Sequence, residues 1–123
     1  MASQLLSGRS ILIAEDEYML ASAIRRELQA EGAVIVGPAP TLERTLDLIE
    51  RHTALDAAIL DINLQGIKVF PAADVLRERG IPFVFATGYD TTIIPSHFAD
   101  VVRCEKPVES GKIAAALARV IKP

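Results

Sequence analysis

Residues 10–15 read Ser-Ile-Leu-Ile-Ala-Glu, a nearly continuous apolar run that ends in an acidic residue. Four similar runs follow it: Ala33–Gly37 (AVIVG), Asp56–Asp61 (DAAILD), Ile81–Ala86 (IPFVFA) and Asp100–Cys104 (DVVRC). The starts of the five runs are 23, 23, 25 and 19 residues apart. Strands read as continuous apolar runs when both faces of a parallel sheet are covered, so this repeat predicts a five-stranded parallel sheet.

Helical spacing fills most of the intervals between these runs. Leu20, Ile24 and Leu28 recur four residues apart, and Gly32 follows at a position that favours a helix C-terminus. Similar stripes occur at Leu42, Leu46 and Ile49, at Val69, Ala72, Ala73 and Leu76, and at Ile113, Leu117, Val120 and Ile121. The pattern predicts the α/β class, with (βα)5 units that close as a doubly wound sheet.

The fourth interval departs from this regularity. It is the shortest, at 19 residues between strand starts, and it contains the helix breakers Gly88 and Pro95. We therefore expect the fourth helix to be short, irregular or absent.

Composition bounds the class of protein. The chain has 123 residues, of which 13 are Lys or Arg and 16 are Asp or Glu, for a net charge of −3. This balance, without a basic run, argues against a nucleic-acid partner. The longest strictly apolar run, Ile113–Ala118, is far shorter than the roughly 20 residues of a membrane span, and the N-terminus lacks signal-peptide features. We expect a cytoplasmic protein with no membrane segment.

Length and residue usage add three expectations. One domain is expected over residues 1–123, with its core at about 10–121 and no room for an output domain. Aromatic residues make up only 5% of the chain, which predicts an aliphatic core. Cys104 is the single cysteine, so it excludes an internal disulfide.

Polar side chains follow the predicted strands at the point where each one ends. These residues are Glu15, Asp16 and Glu17 after the first run, Asp61 after the third, Thr87 after the fourth, and Lys106-Pro107 after the fifth. The carboxyl ends of parallel strands share one edge of the sheet, where ligands bind in this fold class. We therefore expect acids, a hydroxyl and an amine to lie together.

Carboxylates gathered at one edge need a compensating cation, and oxygen ligands suit Mg²⁺ (or Mn²⁺). A carboxylate can also act as a nucleophile and form an acyl phosphate, whose charge must be neutralised. These requirements predict Asp61 as the nucleophile, Glu15 and Asp16 as metal ligands, and Thr87 and Lys106 as phosphoryl ligands. In the simpler alternative the acids are a helix N-terminus and turn residues, and Lys106 is a surface lysine that tolerates replacement by Gln.

On these residues the chain resembles the receiver (CheY-like) domain of two-component response regulators, from about Ser10 to Ile121. The resemblance implies a flavodoxin-like fold with strand order 2-1-3-4-5 and phosphorylation of Asp61 by a histidine kinase. It also implies that Asp16, Asp61 and the backbone carbonyl of Asn63 hold Mg²⁺, and that Glu15 reaches the metal through water.

Two further positions refine the resemblance. The segment Phe85-Ala-Thr-Gly-Tyr-Asp90 is similar to the Phe-Ala-Thr-Gly-Tyr ("FAT GUY") receivers of alphaproteobacteria, in which the fourth helix is short or disordered and the kinases are often of the HWE class. In the family, the position of Tyr89, two after Thr87, tunes hydrolysis, so Tyr89 is a candidate gate. Arg103 stands where receivers usually carry an aromatic switch residue. The family's coupling between Thr87 and that aromatic residue is therefore not carried over to this chain.

The leading hypothesis is a single-domain response regulator that is phosphorylated by a kinase or phosphotransfer protein and signals through contacts with a downstream protein. A phosphate sink or shuttle for a kinase uses the same site, and a homodimer remains open. A small aspartyl-phosphate phosphatase is disfavoured, because Asn63 stands where such enzymes need a second Asp. A receiver that binds partners without phosphorylation is disfavoured by the presence of all five site residues. No separate enzymatic activity is expected.

Overall fold

Five parallel strands form the central sheet of the computed structural model, which describes residues 4–88, 94–106 and 111–121. The strands are β1 (Ser10–Ala14), β2 (Val34–Ala39), β3 (Ala57–Asp61), β4 (Phe83–Thr87) and β5 (Arg103–Glu105). Their order across the sheet is β2-β1-β3-β4-β5. The predicted doubly wound α/β fold and its strand order are confirmed.

Four α-helices cover the sheet within the described ranges: α1 (Tyr18–Ala30), α2 (Leu42–Arg51), α3 (Phe70–Glu78) and α4 (Lys112–Val120). In the interval between β4 and β5, the described residues form a single 3-10 turn, Ser96–Phe98. The described part of this interval thus agrees with the predicted short fourth helix, while residues 89–93 lie outside the described ranges. Among the described helices, none is both long and apolar enough to cross a membrane.

The core lies on both faces of the sheet, because successive residues of each strand point to opposite sides. Ile11 and Ile13 pack with α1 and α4, whereas Leu12 and Ala14 pack with α2 and α3. The central strand β3 is buried along its whole length, which is why its sequence shows no polar alternation.

The expectation of an aliphatic core fails on the face that carries α2 and α3, while the rest of the core is aliphatic. All four phenylalanines of the chain, Phe70, Phe83, Phe85 and Phe98, cluster there with ring centroids 5.5–5.9 Å apart. Phe98 belongs to the 3-10 turn and is fully buried. Since one aromatic ring buries a large apolar area, a single turn suffices to fill this part of the face.

Two features outside the predicted elements complete the fold. Leu6 is fully buried against the face of α1 and α4, and its N–H donates to the Glu31 carbonyl at 3.0 Å. Directly after β3, the two-residue strands Asn63–Leu64 and Ile67–Lys68 pair as an antiparallel hairpin. This hairpin lies beside the carboxyl edge of the sheet and bears directly on the site there.

Candidate functional site

The carboxyl edge of the sheet brings together the acids predicted from the strand ends. Glu15 and Asp16 directly follow β1, and Asp61 is the last residue of β3. Carboxylate oxygens of these three residues lie within 4.8 Å of one another. The adjacency of β1 and β3 in the sheet produces this cluster, although Asp16 and Asp61 are 45 positions apart in the sequence.

Lys106 joins two of these carboxylates. Its Nζ lies 2.8 Å from Asp61 Oδ2 and 2.9 Å from Glu15 Oε1, and the side chains of Asp61 and Glu15 are only 8% and 1% exposed. The residue is held in place because its N–H donates to the Thr87 carbonyl at 2.7 Å. Lys106 thus supplies positive charge to two buried acids.

The pKa values of Glu15 and Lys106 both depart from their usual values. Desolvation, with a smaller contribution from the Asp61 charge, raises the pKa of Glu15 from 4.5 to about 7 against the opposing effects of Lys106 and the Glu17 N–H. Desolvation alone would lower the pKa of Lys106, but its close polar contacts with Asp61 and Glu15 outweigh that effect and raise it. The charged lysine is therefore retained, and Glu15 titrates near neutral pH.

The raised pKa of Glu15 predicts a pH dependence of stability in metal-free solution. Between pH 4.5 and about 7 the folded chain holds a proton that the unfolded chain has released. The free energy of unfolding should therefore fall as pH rises through this window, by on the order of 1–3 kcal/mol in all. Glu15→Gln should remove this decline in denaturant titrations from pH 5 to pH 8 with a chelator present, whereas the exposed-site control Glu43→Gln should keep it. An unchanged decline in Glu15→Gln would contradict the assignment.

Glu17, the third acid of the run, has a different place. Its Oε1 and Oε2 accept from the N–H groups of Met19 and Leu20 at 3.2 and 2.7 Å, so its carboxylate caps α1. Its own N–H donates to Glu15 Oε2 at 3.0 Å. The interpretation of the acidic run as a helix N-terminus therefore holds for Glu17, while Glu15 and Asp16 face Asp61.

The hairpin after β3 contacts two acids of the cluster through its backbone. The N–H of Asn63 donates to Asp61 Oδ1 at 3.2 Å, and the N–H of Gln65 donates to Asp16 Oδ2 at 2.9 Å. The Asn63 side chain closes the turn, since its Oδ1 accepts from the Gly66 N–H at 2.8 Å. Sequence reasoning missed Gln65, although the Asn63-Leu-Gln-Gly66 stretch carries a turn signal.

The sequence also points to Thr87, Tyr89, Arg103 and Pro107. Thr87 is partly exposed at the end of β4, on the same edge as the acids. Arg103 lies beside Phe85 in the sheet register and is exposed, and its side chain forms no hydrogen bond or ion pair with another residue of the described ranges. Tyr89 and Pro107 lie outside the described residues.

The donor set suits a hard divalent cation. It consists of carboxylate oxygens, and Glu15 Oε1 is buried without a well-aligned hydrogen bond among the described residues, although the ion pair with Lys106 compensates its charge. Mg²⁺ takes one or two carboxylates together with waters and phosphate oxygens. The carboxylates of Asp16 and Asp61, with Glu15 close enough to act through water, therefore fit the Mg²⁺ that the sequence predicts.

A doubly wound sheet with an acidic cluster and a lysine at its carboxyl edge is the arrangement that the resemblance to receiver domains predicts. The family model described as the response regulator receiver domain matches residues 11–118. The chain therefore belongs to the receiver-domain family of response regulators.

Known relatives agree with this membership. The transcriptional regulatory protein PdtaR of Mycobacterium tuberculosis is 29% identical over 118 residues, which are 94% of this chain and 50% of that protein. The solution structure of SdrG from Sphingomonas melonis Fr1 is 38% identical and covers 89% of this chain and 96% of that one, with a TM-score of 0.77. The BeF3-activated conformation of SdrG is 36% identical over 99% of this chain and 100% of that one, with a TM-score of 0.75. The chain spans about half the length of the curated relatives it matches.

Proposed function

We propose that this chain accepts a phosphoryl group on Asp61 in a Mg²⁺-dependent reaction and passes the signal on through contacts with another protein. The observation that carries the proposal is the environment of Asp61. This buried carboxylate ends the central strand, lies within 4.8 Å of two further acids, and contacts Lys106 at 2.8 Å. A nucleophile, candidate metal ligands and a cation for the incoming phosphoryl group thus meet at one edge.

The proposed transfer proceeds from a phosphohistidine of a kinase or phosphotransfer protein. An oxygen of Asp61 bonds to phosphorus while the phosphorus–nitrogen bond of the donor breaks. The bonding electron pair leaves with the imidazole, which departs as a neutral ring because its other nitrogen already carries a proton. The product is an acyl phosphate on Asp61.

Each remaining residue has a role in this step. Mg²⁺ would be held by Asp16, Asp61 and the backbone carbonyl of Asn63, and Glu15 would reach it through water. When bound, the ion neutralises negative charge on the transferring phosphoryl oxygens. Lys106 moves its ammonium from the two carboxylates to the phosphoryl group, and the Thr87 hydroxyl donates a hydrogen bond to it. Added phosphate charge would then be read by a protein partner.

We propose that the site does not turn over a separate substrate as a phosphatase would. In a phosphatase that uses an aspartyl nucleophile, the residue two positions later would act as general acid and base. Here that residue is Asn63, whose side-chain oxygen is engaged by the Gly66 N–H at 2.8 Å. An amide does not exchange protons in this way, so chemistry at Asp61 is limited to its own phosphorylation and dephosphorylation.

The likeness to SdrG supports a receiver that changes to an activated form, since one solved form of that protein is BeF3-activated. The Phe-Ala-Thr-Gly-Tyr segment supports a kinase of the HWE class as donor. Neither feature separates a signalling output from a phosphate sink or shuttle, because both uses begin with the same acyl phosphate on Asp61.

Incubation with acetyl phosphate tests the proposal without a cognate kinase. The wild-type chain should gain one phosphoryl group per molecule in the presence of Mg²⁺, as measured by intact-protein mass spectrometry. Chelation of the metal should reduce the rate of labelling by about 100-fold or more, since metal ions contribute several kcal/mol to such transfers. Labelling that proceeds equally fast with chelator would contradict the metal-dependent mechanism.

A further inference from the structure

We propose that the main-chain N–H of Gln65 positions Asp16 for metal binding, and that the turn formed by Asn63–Gly66 serves as a clamp on the acidic cluster. The inference rests on the proposed function, because it concerns how one metal ligand of that site is oriented. Gln65 here is a positioning residue, acting through its backbone.

The clamp has two points of contact with the cluster. The Gln65 N–H donates to Asp16 Oδ2 at 2.9 Å, which leaves Oδ1 of the same carboxylate for a cation. The Asn63 N–H donates to Asp61 Oδ1 at 3.2 Å. One short turn therefore links the acid that follows β1 to the acid that ends β3.

The turn is braced by bonds of its own. Asn63 Oδ1 accepts from the Gly66 N–H at 2.8 Å, and Asn63–Leu64 pairs with Ile67–Lys68 across the hairpin. The same residue, Asn63, offers the backbone carbonyl that the family resemblance assigns to the metal. The spacing between that carbonyl and Asp16 is thus set by two residues of chain in a fixed conformation.

The conformation of Gln65 makes the clamp sensitive to substitution. Its φ of 53° lies in the left-handed region, and Gln65 is the one non-glycine residue with positive φ in the described ranges. Glycine adopts this region without strain, whereas a β-branched residue is a strong outlier there. A change of residue type at position 65 therefore alters the turn while the N–H group itself is retained.

A matched pair of variants uses this property. Gln65→Gly and Gln65→Val both remove the side-chain amide and keep the N–H, but only Val opposes the left-handed φ. In an NMR titration with MgCl₂, Gln65→Val should weaken Mg²⁺ affinity by about 10-fold, as expected when the hydrogen bond that orients a metal ligand is lost. Gln65→Gly should bind within about 2-fold of wild type, as expected for a backbone role. Slow amide exchange in β3 should show that both variants are folded.

Other outcomes overturn the clamp. Equal weakening in both variants would assign the effect to the glutamine side chain, and no weakening in Gln65→Val would mean that the turn does not position Asp16. Either result leaves phosphorylation of Asp61 possible, so it would not count against the proposed function.

A second measurement needs no metal and therefore stands even if the wild-type chain fails to bind Mg²⁺. In metal-free solution the Gln65 amide should exchange faster in Asp16→Ala than in wild type. Asp16→Asn should retain the slower exchange, because its amide oxygen still accepts the bond. The Gly66 amide, bonded to Asn63, serves as the internal reference. Identical exchange of the Gln65 amide in Asp16→Ala and wild type would overturn the proposal.

Discussion

Asp61→Asn should reduce phosphoryl incorporation from acetyl phosphate by more than about 100-fold, because it replaces the nucleophilic carboxylate with a neutral, far less nucleophilic amide while keeping the shape of the side chain. The asparagine oxygen can still accept from the Asn63 N–H, which Asp61 Oδ1 accepts at 3.2 Å. Loss of labelling would therefore report the missing carboxylate rather than a collapsed turn. Radiolabel or intact-mass measurements under saturating MgCl₂ check this result.

Asp56→Asn is the matched control for this variant. Asp56 immediately precedes β3, whereas Asp61 ends it, so the same substitution is made at opposite edges of the sheet. Asp56 Oδ2 accepts from the Ser10 N–H at 2.8 Å, a bond that asparagine can preserve, and an ion pair with Arg9 at 3.5 Å is lost. Labelling of Asp56→Asn should match wild type. If Asp61→Asn were labelled at the wild-type rate and stoichiometry, another residue would be the acceptor.

The site could be predicted from the sequence where local pattern and topology coincide. β3 is apolar because both of its faces are buried, so its end at Asp61 is visible in the sequence. Parallel strands then bring the residues at their carboxyl ends to one edge, which is why Glu15, Asp16, Asp61 and Lys106 were expected together. Residues that strand order brings together at this edge can therefore be inferred from the sequence alone.

Contacts that depend on side-chain reach or on an irregular turn could not be inferred in this way. Glu27 of α1 accepts from the Ala114 N–H at 3.0 Å, and so caps α4 in place of a local side chain. Nothing in the spacing of these residues relates them, since 87 positions separate them. The Gln65–Asp16 bond spans 49 positions and uses a main-chain donor, which carries no residue signature.

The second large effect is expected at Lys106, where the sequence left two interpretations. As a surface lysine it should tolerate replacement by Gln, but the structure places its Nζ within 2.9 Å of two buried carboxylates. Removing one partner of such a group leaves uncompensated charge, which commonly costs about 3–5 kcal/mol. Because the Lys106 side chain is 21% exposed and Glu15 can take up a proton, we expect a smaller loss of about 2 kcal/mol at pH 8.

The pH and metal dependence of that loss identify its cause. Lys106 lowers the pKa of Glu15, so in Lys106→Gln the carboxyl should hold its proton to a still higher pH than about 7. The difference in unfolding free energy between the variant and wild type should therefore shrink as pH falls from 8 to 6. MgCl₂ should reduce this free-energy difference further, because a cation that binds the folded state replaces the missing charge. Lys112→Gln, a change of the same type at an exposed position in α4, should change neither the pH dependence nor the MgCl₂ dependence of the unfolding free energy. If the two variants unfold alike at pH 8 in chelator, Lys106 does not compensate the charge of the buried acids.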